Sequence, residues 1–306
     1  MNNKMTRKEH WLPETSHIAQ FSNKKGVVQV YRFTQKSKID FIKTAKIFTP
    51  SPNGIGFEKD LYERPDLPQN TVEKNLAIIE GEFGKILEKK IKKHKPITQK
   101  ERIIIAQYIE LLQHRTPAQR SHITESLDEL IKMVQQVAVA NGHPEASDKM
   151  TTEIEEYKDL ALTDTMEIAQ EVNNWKYLDF CFLVIPDNIT KTEFITGDHP
   201  VSLTDFTKSG MNNPYGAHPL NKTAENVVPL TPNIALFGNN VGITGYRDVY
   251  YNYIREVNMR TLSHSRQMVI SREPISEHEC KAMVERFPQS LILEYVELPE
   301  SRAAKQ

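Results

Sequence analysis

The chain has 306 residues, 39% of them hydrophobic and 26% charged, with 39 Lys plus Arg against 40 Asp plus Glu. A net charge of −1 excludes a globally basic nucleic-acid or membrane binder, so any such partner must be met by a local patch. Two cysteines, Cys181 and Cys280, are too few and too far apart for a disulfide framework or a thiolate metal site.

The N-terminal MNNKMTRKEHW has no apolar signal core, which together with the cysteine usage predicts a cytoplasmic protein that engages no membrane. Residues 27–33, VVQVYRF, are β-branched and aromatic and follow the Lys25-Gly26 turn signal, so they predict an N-terminal β-ribbon. Pro50, Pro52, Pro65 and Pro68 with Gly54 and Gly56 forbid long regular elements before Asn70, leaving a loop with one short helix near 58–62.

The period then becomes helical. Leu76, Ile79, Phe83, Ile86, Leu87 and Ile91 recur at three-and-four spacing and predict a helix over 71–93, closed by Pro96. Thr98 with Glu101 reads as a capping box for a helix ending near His114, whose III and YIELL are apolar enough to lie deep in the core. A third helix, 117–140, carries Ile123, Leu127, Leu130, Ile131, Val134 and Val137, and a fourth spans 151–173.

After Trp175 short strand-like runs take over: YLDFCFLVI, EFIT, NVVPL, IALFG, QMVIS and SLILEYVEL, interrupted by one helix at 247–263. The fold class is α+β, one domain over 1–306 in which an N-terminal β-ribbon, a helical middle (71–173) and a mostly antiparallel sheet (176–298) share one core.

In FITGDHPV, Pro200 ends the strand and places Asp198 and His199 at its terminus. A carboxylate there can bind a metal, orient water or act as base; it can equally bond backbone amides in a turn. His10, beside Trp11, is suited to acid, base or ligand work, or is simply solvated. Glu80 sits at the edge of the first long helix's apolar stripe, where desolvation would favour acid–base chemistry, or it pairs with a cation.

Arg115 and Arg120 flank Thr116-Pro117 at a helix junction and can hold a phosphate bidentately or bridge to structural carboxylates. Asn258, with Arg255 and Arg260 on the late helix, should be there for a hydrogen bond. The lysine run at 89–95, KKIKKHK, reads as a solvated helix end, with nucleic-acid contact as the alternative. No GxGxxG, Walker loop, GxSxG elbow, HExxH or CxxC is present.

Six phrases occur in an order that resembles a known family: HWLP from His10, NLAIIEGEFGKIL from Asn75, RTPAQR from Arg115, FITGDHPV from Phe194, VVPLTPNIALFG from Val227 and VNMRTLSHSRQMVIS from Val257. Together they resemble the bacterial family of domain of unknown function 4238, which implies no particular activity. That family usually has Ser-Asp-Asn-Pro where this chain has Gly197-Asp198-His199-Pro200.

The combined expectation is a hydrolase or nuclease-like enzyme in which Asp198, Glu80 and His10 are catalytic, and Arg115, Arg120 and Asn258 bind a phosphate-containing ligand or nucleic acid. The donor set admits a divalent metal, although no spacing signals one. The alternative is a non-catalytic binding protein whose polar network is structural.

Overall fold

The structure is a computed structural model that describes residues 8–34, 41–59, 61–62, 66–68, 70–189, 192–206, 218–284 and 290–291. Its elements in chain order are β1 (Lys8–His10), β2 (Gln29–Arg32), the one-turn α1 (Phe41–Thr44), β3 (Lys46–Phe48) and β4 (Phe57–Lys59), followed by α2 (Thr71–Lys89), α3 (Gln99–His114), α4 (Pro117–Ala140) and α5 (Ala146–Val172). Then come β5 (Asp179–Val184), β6 (Thr196–Gly197), β7 (Ser202–Asp205), β8 (Ala224–Thr231), β9 (Ile234–Asn239), β10 (Gly245–Asp248), α6 (Tyr251–His264), β11 (Met268–Ser271) and α7 (Glu277–Val284).

This is the α+β arrangement the sequence predicts, with the strands sorted into three sheets. Among the described residues β1 pairs with β4 alone, which puts His10 opposite Phe57. The ribbon strand β2 joins a four-stranded sheet of order β3-β2-β11-β6, so the N-terminal ribbon is completed by strands more than 160 residues later. The five-stranded sheet, β10-β5-β9-β8-β7, is antiparallel except for the parallel β10–β5 pair.

Ile105, Tyr108, Ile109 and Leu112 of α3 meet Phe180 and Phe182 of β5, Val30 of β2 and Ile270 of β11 in one cluster. The ribbon, the helical middle and the later strands thus share a core, and each large side chain buried there contributes roughly 1.5–3 kcal/mol. Thr98 and Glu101 form the expected reciprocal capping box, and Phe83 of α2 stacks on Tyr108 with ring centroids 3.7 Å apart.

Several local expectations need correction. Residues 57–59 form a strand where a helix was expected at 58–62, because their backbone is captured by β1. The helix begun at Thr71 ends at Lys89; a 3-10 turn over Ile91–Lys93 and a left-handed His94 (φ 50°) follow. Helix α5 begins at Ala146, ahead of the expected 151. SLILEYVEL lies outside the described residues except for Ser290 and Leu291.

Candidate functional site

Arg115 follows the last residue of α3, and Thr116 then caps α4 by accepting the Gln119 N–H. The chain turn between the two helices sends the Arg115 side chain inward, where it is 2% exposed. Its Nη1 donates to Glu80 Oε1 at 2.6 Å and its Nε to the Trp11 carbonyl at 3.1 Å. Its Nη2 is buried and has no hydrogen-bond partner among the described residues. Burial works against the guanidinium charge, but Glu80 more than offsets it and holds Arg115 protonated.

Polar groups from four segments surround this pair. Glu73 lies seven residues before Glu80 on α2, which places both carboxylates on one helix face two turns apart. Burial pushes the Glu73 carboxyl up to about 7; Arg115 opposes that rise, while Glu80 and Glu9 add to it. His10 projects from the end of β1, its ring edge-on to Phe57 at 5.7 Å. Its Nε2 has no hydrogen bond among the described residues and lies 3.9 Å from Glu14. Burial lowers the His10 pKa, with Glu14 opposing.

Around them, Glu9 accepts the Tyr62 N–H at 2.6 Å, and the Tyr62 hydroxyl donates to the His10 carbonyl at 3.2 Å. The fully buried His17 sits 2.7 Å from the Thr196 hydroxyl, and burial followed by Arg115 pushes its pKa down to about 3. It is therefore neutral at physiological pH.

Asp198 occupies the adjoining turn. Its Oδ1 accepts the Arg266 N–H at 2.8 Å and its Oδ2 the Gln267 N–H at 2.7 Å, while its own N–H donates to the Met268 carbonyl. The carboxylate thus fixes the approach from α6 into β11. Gly197 just before it has no room for a side chain: a Cβ would lie 2.0 Å from Ser265 Oγ. His199 Nδ1 lies 3.1 Å from the Thr116 hydroxyl, which ties the GDHP turn to the RTP junction. Burial pushes the His199 pKa down to about 4, helped by His264, Arg266 and His114.

His10, Glu80 and Arg115 are therefore brought together. Asp198 lines a cleft with Trp11 and Pro117, a cleft whose lining includes none of His10, Glu80 and Arg115. Arg120 and Asn258 point elsewhere. Arg120 makes a half-exposed ion pair with Glu58 at 2.9 Å. Asn258 accepts the Ile195 N–H at 3.0 Å and donates to the Glu193 carbonyl at 2.8 Å, beside a separate cavity under α7. The Lys90 and Lys92 ammonium groups meet Glu101 and Glu88.

Glu73, Glu9 and His17 were not singled out in the sequence. For Glu73 a signal existed in its seven-residue spacing from Glu80; for the other two it did not, because burial of a polar group is a tertiary event. Among the described residues no group of three or more His, Cys, Asp or Glu is placed to hold a metal ion, and no helix is long and apolar enough to cross a membrane.

No curated protein and no solved structure matches the chain in comparisons with known proteins. A family model, described as protein of unknown function (DUF4238), matches residues 8–274. That span contains the Arg115 cluster and the Asp198 turn together, and the chain belongs to this family.

Proposed function

We propose that this protein is a hydrolase of nuclease-like type, acting on a phosphate-containing substrate through Glu73, Glu80, His10 and Arg115. The observation that carries this reading is a half-buried carboxyl, Glu73, pushed to about 7 beside an ion pair whose guanidinium has an unbonded edge. A group titrating near neutrality is suited both to take a proton and to return it. Glu73 removes the proton from an attacking water, the P–O bond to the leaving group breaks, and the departing oxygen receives the proton. Arg115, kept charged by Glu80, stabilises the negative charge on the phosphoryl oxygens. His10 is a second proton carrier at the rim, and Asp198 is a positioning residue. The free, buried Cys181 and Cys280 fit work in a reducing cytoplasm.

A second reading has its own observation. Arg115 bonds the Trp11 carbonyl and Glu9 the Tyr62 N–H, so the same network fastens the N-terminal segment to the helical layer. One experiment separates the two: hydrolysis of p-nitrophenyl phosphate, bis-p-nitrophenyl phosphate and single-stranded oligonucleotide across pH. The enzyme reading expects turnover with a limb near pH 7 that Glu73→Gln removes, while the same substitution raises thermal stability above pH 7 by deleting a desolvated charge. Increased stability without turnover in either protein leaves the structural reading.

A further inference from the structure

The cleft at the Asp198 turn has a composition unlike that of the Arg115 cluster. It encloses about 540 Å³ and is lined by Arg32, Lys46 and Arg266, with the hydroxyl-bearing Thr34, Thr44 and Ser121. The carboxylate in its wall, Asp198, turns each oxygen to a backbone N–H. A second space of about 280 Å³ shares Arg32, Pro117, Asp198 and Gln267 with the first and continues to an aromatic end at Trp11 and Phe57.

The strand register adds an energetic observation. Arg32 of β2 stands directly opposite Lys46 of β3. Like charges at directly opposed positions of an antiparallel pair destabilise the sheet. An anion bound between them removes that repulsion and leaves two charge-assisted bonds in its place. Arg266 reaches the same cleft from the turn that Asp198 fixes, so the third cation is held by a built backbone and not by a wandering loop.

We propose that this cleft binds a nucleoside monophosphate, with the phosphate against Arg32, Lys46 and Arg266 and the base against Trp11 and Phe57. The basic end matches a phosphate monoester, and the aromatic end, with the Glu58 carboxylate at its edge, matches a flat ring bearing amino groups. The proposal rests on the phosphate-substrate reading for its place in a reaction, but the binding itself does not require turnover. Asp198 acts through the Arg266–Gln267 turn and not on the ligand.

The test is calorimetric titration of the full chain with 5′-AMP, inorganic phosphate and adenosine, at low and high salt. AMP is expected to bind most tightly, phosphate more weakly and with stronger relative salt sensitivity, and adenosine about tenfold or more below AMP. The variants Arg32→Gln and Lys46→Gln should lose AMP affinity by about tenfold each, while their melting temperatures stay level or rise because the like-charged pair is gone. Unchanged AMP affinity in both variants, or no AMP binding at millimolar concentration, overturns the proposal. Equal affinities for AMP and phosphate overturn its nucleoside part. A wild-type protein that binds AMP but hydrolyses no phosphate ester sinks the hydrolase reading alone; one that turns over a phosphate ester but binds no AMP at millimolar concentration sinks the cleft alone.

Discussion

Among the described residues two arginines are buried, and they are held differently. Arg260 of α6 is clasped by two carboxylates, Glu256 and Glu225, each at 2.8 Å, with side-chain exposures of 0%, 10% and 0%. Glu225 also accepts the Ser290 hydroxyl and the Leu291 N–H, so this network ties a C-terminal residue pair to the five-stranded sheet. Arg115 has one carboxylate partner, Glu80, which is 26% exposed, and beside it stands a second carboxyl that titrates near neutrality. Burial of an arginine does not by itself mark a site. What separates the two is the exposure of their carboxylates: those around Arg260 are shut away from water, whereas Glu80 is partly wet.

The largest expected effect sharpens this contrast. Arg260→Leu leaves Glu225 charged in a site with no access to water and should cost about 3–5 kcal/mol in urea unfolding. Arg115→Leu should cost less, about 2 kcal/mol, because Glu80 can rehydrate. Equal losses would mean that the Arg115 pair is as closed as the Arg260 clasp, and the distinction between them would fail.

Acidification probes the Arg115 side next. The His17 pKa is pushed from 6.5 to about 3 by burial, so between those values the unfolded chain holds a proton that the folded protein refuses. Its stability contribution is complete above pH 6.5 and is lost as pH falls, by about 3 kcal/mol at pH 4. His199, pushed to about 4, adds a loss of the same sign in that window. Glu73 has the opposite sign: its raised pKa means the folded state gains relative stability as pH falls from about 7 towards 4.5. Chemical unfolding at stepped pH should show a flatter acid limb in His17→Asn than in the wild type; parallel limbs would show that His17 is not held neutral.

What was legible in the sequence was what depends on neighbours in the chain. The Thr98–Glu101 capping box, the long helices and the apolar strands β5, β8, β9 and β11 all follow from local period and chemistry. The strand β10, GYRD, has no buried residue to announce it and is a strand only because β5 offers an open edge. The apolar stripe of α4 misled in the other direction: Ile131 is buried, but Leu130 and Val137 are exposed at 42% and 56%, because α4 packs chiefly on its neighbour α5. Ile103, expected deep in the core, is 45% exposed for a similar reason, being on the outer face of α3. Among the candidate residues, the chemistry of His10, Glu80 and Arg115 was visible as residue types at element junctions. Their meeting, and the burial of Glu9 and His17 beside them, depends on contacts between segments up to 179 residues apart.

The smallest expected effect concerns the arginine that resembled Arg115 most closely in the sequence. Arg120 lies five residues on, yet its partner Glu58 is 41% exposed and it is itself 52% exposed, so water competes for both charges. Exposed pairs of this kind contribute about 0–1 kcal/mol. Arg120→Gln should therefore shift the urea midpoint barely at all, and less still in high salt, where the pair is already screened. Its ligand phenotype is the more informative readout: Glu58 lines the aromatic end of the cleft, and releasing it from Arg120 changes the charge at that edge without disturbing Arg32 or Lys46. AMP affinity should then change by less than about threefold. A loss as large as that of Lys46→Gln would place Arg120 on the ligand and join the surface pair to the site from which its geometry now separates it.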